Sequence, residues 1–184
     1  MNDLIILAAL LPRPTHGYAL KKQVGLLTGQ RDLHNNLVYP LLHRFVENAW
    51  VSKRKSAGQR GQTREVYSLT AKGKQELLRH LREYPQAETS SDNGFRLRVG
   101  LFDFLDAETR RRILAGRDQF LASRQQRLAQ ISALVETGSW GREVVRFFGD
   151  QVRAERAWIA GLARKAKRDT KAPRNSQVNS RSCS

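Results

Sequence analysis

Residues 33–50 read LHNNLVYPLLHRFVENAW, and the proline in the middle of this stretch decides how the first half of the chain folds. Leu37, Val38, Leu41, Leu42, Phe45, Val46, Ala49 and Trp50 recur at the i, i+3, i+4 spacing of a helix with one buried face. Pro40 has no N–H to donate and a φ fixed near the helical value. It is tolerated in a first turn and costs ~3 kcal/mol in a helix interior. The helix is therefore expected to begin just before Pro40, with Asn35 or Asn36 as its cap. Its leading end then presents two asparagines, Tyr39 and, a turn later, His43 and Arg44. Such an end suits an anion or a groove. An ordinary capped core helix explains the same residues.

The neighbouring segments supply the context. MNDLIILAALLPRP opens with a helix over 2–11, stopped by Pro12 and Pro14. In PRPTHGYALKKQVGLL, Thr15 is a suitable N-cap for a helix from His16 to Leu27 that buries Tyr18, Leu20, Val24 and Leu27, with Gly29 at its end. After the Pro40 helix, WVSKRKSAGQRGQTREVYSLT reads as two strands, Val51–Lys55 and Arg64–Leu69, joined by the loop SAGQRGQT. Three helices followed by a basic hairpin is the order of a winged helix-turn-helix, with the Pro40 helix in the major groove. Lys53, Arg54, Lys55, Arg60 and Arg64 fall within twelve residues that contain no acid. That composition suits phosphates, whereas a merely structural hairpin would also be solvated.

Charge is distributed unevenly. The chain has 184 residues and a formal net charge of +16. Residues 1–84 contribute +8, residues 85–163 only +2, and residues 164–184 the remaining +6. A polyanion is thus expected at the N-terminal half and at the tail. The lone cysteine, Cys183, allows no disulfide within one chain and no cysteine zinc cluster, which fits a cytoplasmic location. The apolar run Leu4–Leu11 is too short for a membrane span and lacks the basic flank of a signal peptide.

LTAKGKQELLRHLREYP predicts a helix capped by Thr70, burying Leu77, Leu78 and Leu81 and ended by Pro85. The polar stretch 85–94 reads as a linker between an expected DNA-binding domain, 1–84, and an expected helical domain, 95–166; residues 167–184 are expected to form a disordered basic tail. In the helical domain FRLRVGLFDFL (95–105) is buried, and Asp106 caps a helix over 107–136. Leu114, Leu121, Leu128 and Val135 lie seven apart in it, a coiled-coil-like stripe. Gly138 breaks it. A last helix from Trp140 to Lys165 aligns Val144, Val145, Phe148, Val152, Trp158, Ile159 and Leu162. Stripes this long on a thin domain call for a second copy of the chain, although they also pack within one chain. The expected fold is mainly α with a small two-stranded β-wing, a winged helix-turn-helix followed by a helical dimerisation domain.

Four blocks in order resemble the PadR-type transcriptional regulators: LIILAALLPRPTHGYALKKQV, with HGY opening the second helix; LVYPLLHRFVENAWV, with the Tyr-Pro pair of a recognition helix; REVYSLTAKGKQEL; and FFGDQVRAERAWIAGL, in which Glu155 precedes Trp158 by three residues. The resemblance spans about residues 4–163. It implies a dimeric repressor of palindromic operators whose C-terminal helices form the dimer interface, and a response to phenolic acids or hydrophobic drugs. The chain departs from the pattern at Asn36, Leu37 and Val38, where small residues are usual before the Tyr-Pro pair. It also lacks the glycine after the recognition helix, where Asn48 is expected to supply the left-handed residue.

As a DNA reader, the chain would present Asn35, Asn36, Tyr39, His43 and Arg44 to the operator. Asn pairs bidentately with adenine, Asn36 serves equally as a cap, and His43 suits a base or a phosphate. Lys53, Arg60 and Arg64 would hold phosphates, adding salt-sensitive affinity but little base information. His16 contacts backbone, couples the domains, or is a local helix-end feature. His16, Tyr18, Phe102, Trp140 and Phe148 are the candidates for an effector pocket, with Trp158 a further aromatic; all of them also fit a core. Leu114, Leu121, Leu128, Val135 and Trp158 are the candidates for the dimer interface. A ligand would release DNA by changing the half-site spacing, with hinges at 85–94 and near Asp106. No enzyme motif, metal-binding spacing or cofactor fingerprint is present, so neither enzyme nor cofactor is expected. The rival reading is an effector-sensing adaptor that binds a protein.

Overall fold

A computed structural model describes residues 2–28, 35–57, 63–134 and 138–169. Seven helices and three strands are described: α1 Asn2–Leu10, β1 Thr15–His16, α2 Gly17–Thr28, α3 Asn35–Glu47, β2 Val51–Ala57, β3 Thr63–Leu69, α4 Ala71–Arg82, α5 Asp92–Gly100, α6 Ala107–Leu134 and α7 Ser139–Arg168. Short 3-10 turns cover Gln86–Glu88 and Phe102–Phe104. The chain divides into two compact units, one comprising Met1–Tyr84 with Arg96–Arg98, the other Pro85–Phe95 with Val99–Ser184.

The first unit is built around α1. Every residue from Leu4 to Leu10 is buried, as expected of a helix that is apolar on all sides. It packs against α2, α4 and β3. Leu20 and Val24 of α2, Val38, Leu42 and Phe45 of α3, and Leu77 and Leu81 of α4 complete this core.

The expected two-stranded wing is part of a three-stranded antiparallel sheet in the order β1-β3-β2. Thr15 and His16 form its third strand and pair with Tyr67 and Val66, so Thr15 is not the N-cap of α2. The cause lies in Pro12 and Pro14, which hold the chain extended as it leaves α1. The extended chain then lies along the edge of β3. Tyr18, expected in the core, is 79% exposed. It stands two residues before Leu20, about 200° around a helix of 3.6 residues per turn, and so on the side opposite Leu20 and Val24.

Pro40 is also placed differently from expectation. It is the sixth residue of α3, not a first-turn residue, and Asn35 and Asn36 are already helical rather than caps. Pro40 brings no N–H to the carbonyl of Asn36. The loss falls near a helix end and on an exposed residue, where water can replace the donor.

The turn after α3 is a Schellman motif. Trp50 N–H donates to the Phe45 carbonyl (2.8 Å) and Ala49 N–H to that of Val46 (3.0 Å). The Phe45 and Trp50 rings pack at 5.4 Å, the apolar contact that accompanies this motif. The left-handed residue is Ala49, with φ 57°, and not Asn48 as expected. Thr70 caps α4, accepting from Gly73 N–H (3.0 Å).

In the second unit, α6 and α7 form an antiparallel hairpin. Arg110 reaches Asp169, Arg117 reaches Glu155, and Arg124 lies over Phe148, so partners run in opposite directions. Asp106 caps α6, accepting from Thr109 N–H at 2.7 Å and from its hydroxyl at 2.8 Å. The stretch read as a linker contains the 3-10 turn and the start of α5. Lys167 and Arg168, assigned to the tail, belong to α7. Residues 170–184 lie outside the described residues.

Candidate nucleic-acid interface

The two sides of α3 differ sharply. Val38, Leu42 and Phe45 are fully buried, while Tyr39 and His43 are exposed. The buried side fixes the helix to β2 and α2, and the exposed side carries Tyr39 and His43, two of the residues expected to meet DNA. The side chains of Asn35 and Asn36 lie outside the described residues, as does Arg60. Arg44 is exposed, but its guanidinium turns back to the Asp3 carboxylate of α1 and lies over the Phe45 ring.

Gly17 explains the glycine of the HGY block. A Cβ there would stand 3.2 Å from Tyr39 Cε1 and 3.5 Å from Tyr67 Cε2. The start of α2 therefore forms a seat that two tyrosines share, and a larger residue would push Tyr39 from it. His16 is half-buried, and its Nδ1 is buried without a hydrogen-bond partner among the described residues.

The strand register sorts the wing's charges. Lys53 is opposite Tyr67, Lys55 opposite Glu65, and Ser56 opposite Arg64. Since side chains alternate along a strand, Lys53, Lys55, Glu65 and Tyr67 share one face of the sheet. Arg54 and Arg64 lie on the other. Lys53 and Arg64, grouped as phosphate contacts in the sequence, point to opposite sides.

Glu65 is the residue that sequence reasoning missed. Its carboxylate accepts from Lys53 Nζ (2.7 Å) and from the Tyr67 hydroxyl (2.8 Å). Lys53 chiefly, then Tyr67, hold its pKa below the usual carboxylate range, and the nearby His43 adds to this. The Tyr67 phenol is pushed up, first by burial and then by Glu65. The signal was present in the sequence as the acid that directly follows the basic run.

Residues 6–79, from α1 into α4, match the model of the transcriptional regulator PadR-like family. The segment 6–79 belongs to the PadR-like family. A Thermoplasma acidophilum protein provisionally assigned as a transcriptional regulator is 35% identical; the match covers 43% of this chain and 75% of that one, with a TM-score of 0.40. Bacillus subtilis PadR in complex with operator DNA is 19% identical over 89% of this chain and 98% of that one (TM-score 0.43). The same protein in complex with p-coumaric acid is 18% identical over 90% and 98% (TM-score 0.40). No match was found among curated proteins.

Outside the PadR-like match, the second unit gives the Glu155/Trp158 pair a physical role. On one face of α7, Glu155 binds Arg117 and Trp158 meets Phe95 edge-on at 5.8 Å. Arg117 is fully buried. It donates to Glu155 (2.8 and 3.0 Å), to the Thr89 carbonyl (2.7 Å) and to Asp92, between the rings of Phe95 and Phe120. Burial opposes its charge, but the two carboxylates outweigh it and strengthen its hold on the proton.

The remaining candidates separate by exposure. Leu114 and Leu121 are buried within one chain, Leu128 is half-buried, and Val135 lies outside the described residues. Trp158 is 42% exposed and Trp140 85%; Phe148 is partly exposed and Phe102 half-buried. His16 and Tyr18 belong to the first unit, whereas Phe102, Trp140 and Phe148 belong to the second. No helix among the described residues is long and apolar enough to cross a membrane, and no group of metal-binding side chains is found among them.

Proposed function

We propose that this PadR-like chain is a transcriptional repressor that reads a double-stranded DNA operator as a homodimer and releases it on binding a small hydrophobic or phenolic effector. The observation that carries the DNA reading is the division of α3. Val38, Leu42 and Phe45 anchor one side, leaving Tyr39 and His43 exposed beside a cationic wing. Tyr39 and His43, with Asn35 and Asn36, read base edges; Arg54, Arg60 and Arg64 hold phosphates.

The dimer reading rests on apolar side chains left in water. Ile131, Val144, Phe147 and Phe148 are each at least 36% exposed, and Trp140 is 85% exposed. A second copy covering them would remove this surface from water. Leu114 and Leu121 are already buried and have no surface left to contribute. The effector acts by altering the distance between two recognition helices, which must span about one DNA turn or a multiple, ~34–36 Å apart per turn.

Fluorescence anisotropy on duplex from upstream of the protein's own gene, against a scrambled duplex across a salt series, tests the DNA reading. Specific binding is expected, with affinity and salt slope both reduced in Arg60→Ala/Arg64→Ala. Absence of binding at low salt would instead favour the adaptor reading. Sedimentation of Phe147→Ser tests the dimer: a shift toward monomer supports it, and an unchanged mass removes that surface from the interface.

A further inference from the structure

We propose that Glu65 is a specificity-determining residue that withholds Lys53 from phosphates until the wing is fully seated on cognate DNA. The inference rests on the DNA-binding reading above. It starts from an oddity: a carboxylate stands on the wing face that holds Lys53 and Lys55, where an acid repels a phosphate backbone.

Glu65 is not a freely moving surface acid. One oxygen accepts from the hydroxyl of Tyr67, which is 3% exposed and whose ring is held beside Gly17 and Tyr39. The other oxygen takes Lys53 Nζ at 2.7 Å. Exposed ion pairs are weak largely because two long side chains must both be ordered. Here the carboxylate is ordered in advance by a buried phenol, so only Lys53 loses freedom on pairing.

A loosely bound duplex offers Lys53 a diffuse field of phosphates in exchange for a fixed partner at contact distance. That exchange gains little. A fully docked duplex offers one phosphate at a fixed position, and the exchange becomes favourable. Lys53 therefore contributes to cognate binding while remaining silent in non-specific binding. Among the described residues, Arg54 and Arg64, on the opposite face, have no such carboxylate partner.

The test is a double-mutant cycle of Glu65→Gln and Lys53→Ala, read by anisotropy on the upstream duplex and on the scrambled duplex across salt. Glutamine keeps an oxygen for the Tyr67 hydroxyl, and thermal melts of each variant check the fold. Glu65→Gln is expected to tighten scrambled DNA about two- to fivefold, steepen its salt slope by about 0.9, and tighten the upstream duplex less. Lys53→Ala alone should leave the scrambled-DNA slope unchanged, and in the Glu65→Gln background it should cancel the gain.

The proposal is overturned if Lys53→Ala flattens the scrambled-DNA slope equally in both backgrounds. It is also overturned if the gain from Glu65→Gln survives without Lys53, because Glu65 would then act by its own charge alone. Lack of wild-type binding to either duplex at low salt would instead remove the DNA reading, and this inference with it.

Discussion

Ala49 carries a φ of 57° at the position after α3 where glycine is favoured, because its Cβ crowds the backbone in the left-handed region. The strain is about 1–2 kcal/mol, and the extra unfolded-state freedom of glycine offsets about 0.4–1 of it. Ala49→Gly should raise stability by ~0.5–1 kcal/mol, seen as a higher urea midpoint at constant slope. Gly73 gives the opposite case. A Cβ there would lie 1.9 Å from the Trp50 carbonyl oxygen, which is held by the Thr70 N–H at 3.0 Å and cannot swing aside. Alanine's helix propensity favours the change by ~1 kcal/mol. Overpacking against backbone typically costs about 1–3 kcal/mol and here should exceed the gain. Gly73→Ala is expected to lower the melting temperature, and an unchanged melt would show that the α4 packing is looser than described. The sequence located the turn after α3 but named Asn48 as its left-handed residue. The choice between adjacent residues depends on which carbonyls the turn must satisfy, and hydrogen bonds to Phe45 and Val46 settle it on Ala49.

Among the elements, α6 owes its start to Asp106, whose pKa is held below the usual carboxylate range first by the Thr109 N–H. Asp106→Ala should cost ~1 kcal/mol near neutral pH. A depressed acid contributes stability that is fully present above its unfolded value, about pH 4, and is lost as pH falls through the lower folded value. The difference between wild type and variant in urea melts should therefore shrink below about pH 4. A difference constant down to pH 2 would mean that the carboxylate's charge contributes nothing to the cap. This element was readable in advance, because an N-cap is local chemistry. The strand at Thr15–His16 was not, since two residues carry no periodicity and their pairing needs the distant Tyr67 and Val66.

For the whole molecule, Arg117 joins segments far apart in the chain: the Thr89 carbonyl and Asp92 before it, and Glu155 on α7 after it. Breaking a buried pair by removing one partner costs about 3–5 kcal/mol. The Asp92 side chain is 48% exposed, so water recovers part of its loss. Arg117→Met should destabilise the second unit by about 2–4 kcal/mol, and Arg117→Lys should not restore it, because an ammonium does not reproduce the bidentate hold on Glu155. Calorimetry would measure both, and a near-neutral Arg117→Met would show that the network is replaceable by packing. The sequence held a clue: Arg117 falls three residues after Leu114 and four before Leu121, inside the apolar stripe.

Sequence by itself determined what depends on near neighbours and periodicity: the helices of the first unit, α6 and α7, the Thr70 and Asp106 caps, the basic wing and the family blocks within residues 6–79. Tertiary structure decided which side chains meet across long chain separations. It drew β1 onto β3, placed Glu65 between Lys53 and Tyr67, buried Leu114 and Leu121 within a single hairpin and enclosed Arg117. Helical period and capping are set by bonds a few residues long. The fate of a buried or pinned charge is set by partners that only the folded chain brings within about 3 Å.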